Sequence, residues 1–269
     1  MKNKNSVYLA QPWGGLGDNF AFSNLPRLYN EKNIDFSLSF LNYTRSREIR
    51  NLVWKNNPFV KNTFSFKFPN IGSRKLNTKD INKENLNVVQ RINIFHDFNP
   101  GDGYPEIYLN FDVDPELKYD LVIDMNAFSM FKTMDIIYDK KSIENIIKKL
   151  EKFNPKKIVT PSLYDEPITS ESLINNKIND LVNILLSTNT FYCLSSGSHT
   201  LAATLKHKYG FPKNIISFLP NLNESNLYSY GYVFKNVDYK NTLGVKNINK
   251  EDPRTMRIYR GYIKKYFKD

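Results

Sequence analysis

Two short stretches of this chain combine residue types and spacings that could do chemistry. The first is Trp13-Gly14-Gly15-Leu16-Gly17-Asp18-Asn19. It follows an apolar, strand-like run, Ser6-Val7-Tyr8-Leu9-Ala10, and precedes a helical pattern. Glycines between a strand and a helix let the backbone approach a ligand and leave amide N–H groups pointing outward. Asp18, at the end of that turn, is a carboxylate at the rim of a sheet, a place suited to a base or an orienting group. An ordinary tight turn with Asp18 as helix N-cap satisfies the same pattern.

The second stretch runs from Phe191-Tyr192-Cys193-Leu194 into Ser195-Ser196-Gly197-Ser198-His199-Thr200 and on to Leu201-Ala202-Ala203-Thr204-Leu205. Hydroxyls, a glycine and N–H groups at a helix start suit a diphosphate. Ala202 and Ala203 let that helix lie close to a sheet. A capping turn without a ligand is the plain alternative. What favours a site is the pairing, one such turn in each half of the chain.

Other chemistry-bearing residues read blandly. His96 and His207 are expected at the surface or in loops. Asp102 and Glu106 form no recognisable acid/base pair. Cys193 falls in a buried strand and reads as core, since nothing basic surrounds it in sequence. Tyr164-Asp165-Glu166 reads as a solvated loop that could also touch a base or ribose.

Positioning these residues takes a packed body, and 269 residues with 41% hydrophobic content can build one. The single cysteine excludes an intrachain disulfide and fits a reducing compartment. One cysteine and three histidines make no zinc cluster without carboxylate help, so no metal is expected. No run approaches the roughly 20 apolar residues that span a bilayer. A cytoplasmic protein is expected, with peripheral contact at the inner face of a membrane as an option. The net charge of +11 suits an anionic partner or a solvated lysine-rich surface. No nucleic-acid-binding motif accompanies it, so nucleic acid is not an expected partner.

The elements alternate. Val7 to Ala10, Asp35 to Phe40 and Thr63 to Phe68 read as strands, with helices over Asn19 to Lys32 and Ser46 to Trp54. Pro26 inside the first helix implies a kink or a shorter helix. Asn70 to Pro115 reads as polar and turn-rich, with Asp112 to Pro115 as a linker. Strands then follow at Tyr119 to Asp124, Lys157 to Thr160, Thr190 to Leu194 and Asn214 to Leu219. Helices are expected at Ser142 to Phe153, Asn176 to Ser187 and Ser198 to Tyr209. Asp252 to Phe267 reads as a basic helix docking back on the body. The rhythm predicts an α/β protein with parallel sheets.

Gly14-Gly15-Leu16-Gly17-Asp18, followed by Ser23-Asn24-Leu25-Pro26-Arg27-Leu28, resembles the N-terminal signature of the heptosyltransferase-like glycosyltransferases (glycosyltransferase family nine). Those begin with a strand, a Gly-x-Leu-Gly-Asp turn and a helix carrying an early proline. Asn56-Asn57-Pro58-Phe59-Val60 is similar to the family's Asn-Pro-x-Val segment. Ser195 to Ala203 is similar to its Asp-Thr-Gly-x-x-His-Leu-Ala-Ala segment, with Ser195 in place of Asp and Thr200 in place of His.

The resemblance implies a GT-B architecture, two Rossmann-like domains with parallel sheets facing a central cleft. Residues 1–115 would form the acceptor side, 116–245 the nucleotide-sugar side, and 246–269 the returning helix. It implies a glycosyltransferase that moves a sugar from a nucleotide-sugar donor to a glycan or lipid-linked saccharide, inverting and metal-independent. Asp18 would be the base. Gly15, Gly17, Asn126, Lys132, Ser195, Ser196, Gly197, Ser198, His199 and Thr200 would bind donor, and no cofactor is expected. The rivals are a nucleotide-sugar epimerase of the same fold and a non-enzymatic nucleotide-sugar or nucleic-acid binder.

Overall fold

The computed structural model describes residues 5–11, 13–72, 85–111, 118–127, 136–160, 168–222 and 231–246. Two parallel sheets organise them. The smaller contains β1 (Ser6–Ala10), β2 (Asp35–Ser39), β3 (Val60–Ser65) and β4 (Ile71–Gly72), in the order β3-β2-β1-β4. The larger contains β5 (Tyr119–Asp124), β7 (Lys156–Val159), β8 (Ser172–Ile174), β9 (Thr188–Leu194), β10 (Asn214–Pro220) and β11 (Asp238–Thr242). Its order is β11-β10-β9-β5-β7-β8. A separate antiparallel pair joins β6 (Ile136–Tyr138) to β12 (Gly244–Lys246).

In the larger sheet the chain builds outward from β5 to β8, then returns across β5 to β9 and builds the other way. The carboxyl ends of β5 and β9 therefore flank a topological switch point, where open α/β sheets hold ligands. In the smaller sheet β1 plays that part, between β2 and β4. Each turn singled out in the sequence leaves one of these strands, β1 or β9.

The helices are α1 (Leu16–Ala21), α2 (Leu25–Glu31), α3 (Arg47–Arg50) with a π-helical turn at Asn51–Lys55, and α4 (Val88–Phe95). They continue with α5 (Lys140–Glu151), α6 (Ile178–Leu186) and α7 (Gly197–Tyr209). The single helix expected over 19–32 is two helices. Pro26 sits in the first turn of α2, where its missing N–H has no helical acceptor to satisfy. The strand expected at 63–68 lies earlier, at Val60–Ser65. Helix α4 falls in a stretch read as loop. A reciprocal cap starts it: Gln90 N donates to Asn87 Oδ1 and Asn87 N donates to Gln90 Oε1, both at 3.1 Å. Helix α7 ends at Gly210, whose φ of +81° takes the left-handed turn that favours glycine. The expected linker at 112–115 and the basic helix at 252–267 lie outside the described residues, as do residues 164–166.

Packing follows strand alternation. Phe191, Cys193 and Ile215 point into the main core, which α6 and α7 cover through Val182, Leu185, Leu201 and Leu205. Leu194 and Phe218 point to a second cluster with Ile143 of α5. The main core is continuous with that of the smaller sheet, through Leu9, Phe20, Leu38 and Trp54. Helix α1 packs on α7 and makes the junction.

Candidate active site

The first glycine turn is held by a buried polar network. Asn19, fully buried at the second turn of α1, donates to Gly15 O at 2.8 Å and accepts from Trp54 Nε1 at 2.8 Å. Gln11, also fully buried, reaches Asn19 Oδ1 at 3.3 Å and Tyr43 O at 2.8 Å, and accepts from Trp13 N at 2.8 Å. The Tyr43 ring leaves no room for a side chain at Gly14, where a Cβ would lie 2.3 Å from Cε1. Fully satisfied networks of this kind fix one conformation.

Asp18 is not the N-cap. It is the third residue of α1, and its Oδ2 accepts from Gly15 N at 3.1 Å. Its Oδ1 accepts from the Tyr232 hydroxyl at 2.7 Å, a partner 214 positions away. Burial pushes the Asp18 carboxyl above its ordinary value. The Tyr232 hydroxyl, the Gly15 N–H and the Arg45 charge pull it back in part. Burial first, then the Asp18 charge, hold the Tyr232 phenol protonated well above its usual range.

The second turn leaves β9 beside the end of β5, where Asp124 pairs in register with Cys193. Tyr138, nearly fully buried, accepts from Ser195 N at 2.9 Å and donates to Phe218 O at 2.8 Å, which ties the turn to β10. Ser196 Oγ and Ser198 Oγ lie 2.8 Å apart, and the Ser196 side chain makes no cap on α7. Asn126, just past β5, donates its N–H to Asp124 Oδ1 at 3.1 Å. Ser195, Ser196, Gly197 and Asn126 keep partial exposure at this rim.

The two turns meet. A Cβ on Gly17 would lie 3.0 Å from Thr200 Oγ1 and 3.7 Å from Gly197 Cα, and one on Gly197 would lie 2.9 Å from Leu16 Cβ. Glycine at both positions lets α1 and the start of α7 touch. Gly15, Gly17, Asp18, Gly197 and Thr200 are thereby brought to one junction.

The sequence-predicted donor residues divide by where their side chains go. Thr200 is 1% exposed and its hydroxyl is turned to Gly17 and Ser196 O, so no ligand reaches it in this conformation. His199 is fully buried, with Nε2 3.0 Å from the Tyr239 hydroxyl, and burial lowers its pKa to about 3. Only its backbone N–H could serve a donor. Ser198 is buried as well. The physical reason is shared: these residues lie on the first turn of a helix whose inner face joins the core. Lys132 lies outside the described residues.

Other residues also find their places. Cys193 is core, and burial drives its thiol well above the ordinary value. His96 is a correction to the surface reading. It is buried at the end of α4, with Nδ1 3.0 Å from the Tyr29 hydroxyl, and burial lowers its pKa to about 4. His207 is exposed, as expected, beside Asp102 at 3.1 Å and stacked on Tyr104. Tyr232, Tyr138, Asn19 and Trp54 were not foreseen. Among the described residues there is no group of three or more His, Cys, Asp or Glu that could hold a metal ion. None of the described helices is long and apolar enough to cross a membrane.

Two parallel sheets with their switch-point turns apposed give an α/β architecture of the GT-B type. No family model and no curated protein matches the chain. Among solved structures it is similar to the bacterial iron-containing dodecameric glycosyltransferase TibC from enterotoxigenic E. coli H10407. The identity is 13% and the TM-score 0.57, over 98% of this chain and 79% of that one. It is also similar to the dodecameric iron-containing heptosyltransferase TibC in complex with ADP-D-beta-D-heptose. There the identity is 13% and the TM-score 0.50, over 77% of this chain and 58% of that one. Both likenesses are of fold.

Proposed function

We propose that this protein is a glycosyltransferase that moves a sugar from a nucleotide-sugar donor to a saccharide acceptor. The observation that carries the reading is the apposition of the Asp18 turn with the Ser195–Gly197 turn. Inverting transfer needs two things at one place. A base takes the acceptor hydroxyl's proton as the new bond to the anomeric carbon forms. Fixed N–H groups hold the charge that grows on the departing diphosphate. Asp18 suits the first task, and the amides at the start of α7, with the Ser195 and Ser196 hydroxyls, suit the second.

In this reading residues 1–115 form the acceptor side and 116–245 the donor side, with Asn126, partly exposed just past β5, as a donor contact. The fold likeness to TibC, one structure of which holds ADP-heptose, supports a donor of that kind. The basic charge suits an anionic acceptor, such as a phosphorylated glycan or a lipid-linked saccharide at the inner face of a membrane.

The test is thermal shift of the full chain against ADP-, UDP-, GDP- and CMP-sugars, since bound ligand stabilises by mass action. Transfer or donor hydrolysis is then measured with the sugar that binds. Binding with turnover supports the reading. Binding without turnover makes the protein a nucleotide-sugar binder, and no binding to any of them overturns the site.

A further inference from the structure

We propose that Tyr232 is a positioning residue for Asp18: a strap from the far half of the chain holds its hydroxyl against the carboxylate and keeps it aimed. This rests on the reading of Asp18 as the base.

The strap is fastened on both sides of Tyr232. Ahead of it, Gly231 O accepts from Val88 N at 2.7 Å. Behind it, Val233 O accepts from Asn87 Nδ2 at 2.9 Å, and Phe234 N donates to the Tyr239 hydroxyl at 2.8 Å. Val233 and Phe234 are buried. The start of α4 in one half and β11 in the other thus fix the same short segment. Its one polar side chain between these anchors reaches Asp18 Oδ1 at 2.7 Å.

The arrangement leaves Asp18 usable. A carboxylate has about four acceptor positions. Tyr232 takes one on Oδ1 and the Gly15 N–H takes one on Oδ2, so an acceptor hydroxyl still has a place to bind. The titratable and charged groups acting on Asp18 are Tyr232 from the strap and Arg45 from the loop after β2. A hydroxyl donated to the ionised form favours that form against the cost of burial. A purely structural plug would not tune it.

The experiment follows the Asp18 carboxyl by carbon NMR in full-length protein labelled at aspartate Cγ, with Asp18→Asn identifying the resonance. Three proteins are titrated: wild type, Tyr232→Phe, and one carrying 3-fluorotyrosine at position 232. Loss of the donor should raise the Asp18 midpoint by about one pH unit. The more acidic fluorinated phenol should lower it. The acid limb of kcat/KM should move the same two ways with the nucleotide sugar the enzyme turns over, while KM for that donor holds. Coincident midpoints in all three proteins overturn the proposal. If Tyr232→Phe does not fold, the fluorotyrosine protein keeps the ring and hydroxyl and decides alone. Shifted midpoints with full turnover in Asp18→Asn would remove the base reading only. Fixed midpoints with turnover abolished by Asp18→Asn would remove this proposal only.

Discussion

Gly17→Ala in α1 tests the junction on which the site depends. A glycine-to-alanine change where the backbone permits it stabilises by about 0.4–1 kcal/mol, because the unfolded chain loses freedom. The φ of Gly17 is not in the left-handed region, so the backbone permits alanine. The added Cβ would nonetheless lie 3.0 Å from Thr200 Oγ1 and 3.6 Å from Thr200 Cβ. Overpacking of this kind costs about 1–3 kcal/mol. We expect Gly17→Ala to destabilise by about 1–2 kcal/mol net. In a Thr200→Ala background the crowding atom is absent, and the same change should be neutral or stabilising. The coupling in the cycle is then about 1–3 kcal/mol. Urea denaturation followed by tryptophan fluorescence measures all four proteins, since Trp54 lies buried beside the turn. Gly17→Ala stabilising the unmodified chain, or an additive cycle, would refute the apposition of α1 and α7.

Two further outcomes follow from buried groups. His199 and His96 are neutral in the fold, with pKa values of about 3 and about 4 against an ordinary 6.5. Depressed values contribute stability above pH 6.5 that is lost as pH falls toward the folded values. At pH 5 each histidine removes about 2 kcal/mol, and His96→Gln should roughly halve the combined loss in urea titrations run from pH 7 to 5. Asn19→Ala strands Trp54 Nε1 without a partner, while Gly15 O loses one of its two donors and keeps the backbone N–H of residue 19 at 3.1 Å. A cost of about 1–3 kcal/mol in the same assay is expected, with weakened donor binding, and a change under 0.5 kcal/mol would show the network to be idle.

Local chemistry was legible in the chain, and long-range chemistry was not. The strand at Tyr119–Asp124 is a short apolar run between turn signals. The amphipathic helix at Lys140–Glu151 buries Ile143 and Leu150 as its spacing implies. Both glycine turns lie where their flanking runs put them. Pro26 marked a boundary, but whether it kinked or started a helix depended on the Phe22–Asn24 turn that precedes it. Helix α4 carried a readable signal, Asn87-x-x-Gln90 before an apolar stripe, hidden by its polar surroundings. Tyr232 and Tyr138 carried none. Each is an ordinary tyrosine until the fold brings Asp18 or Ser195 to its hydroxyl, 214 and 57 positions away. The burial of His96 and His199 was hidden for the same reason, since no spacing rule reveals that a tyrosine hydroxyl waits for each ring.

The most direct measurement is turnover of a nucleotide sugar by wild type and Asp18→Asn, with the donor dissociation constant determined for both. If Asp18 takes the acceptor proton while the start of α7 holds the diphosphate, the variant should lose turnover by about 100-fold or more and bind donor within a few-fold of wild type. Unchanged turnover in Asp18→Asn would contradict the account.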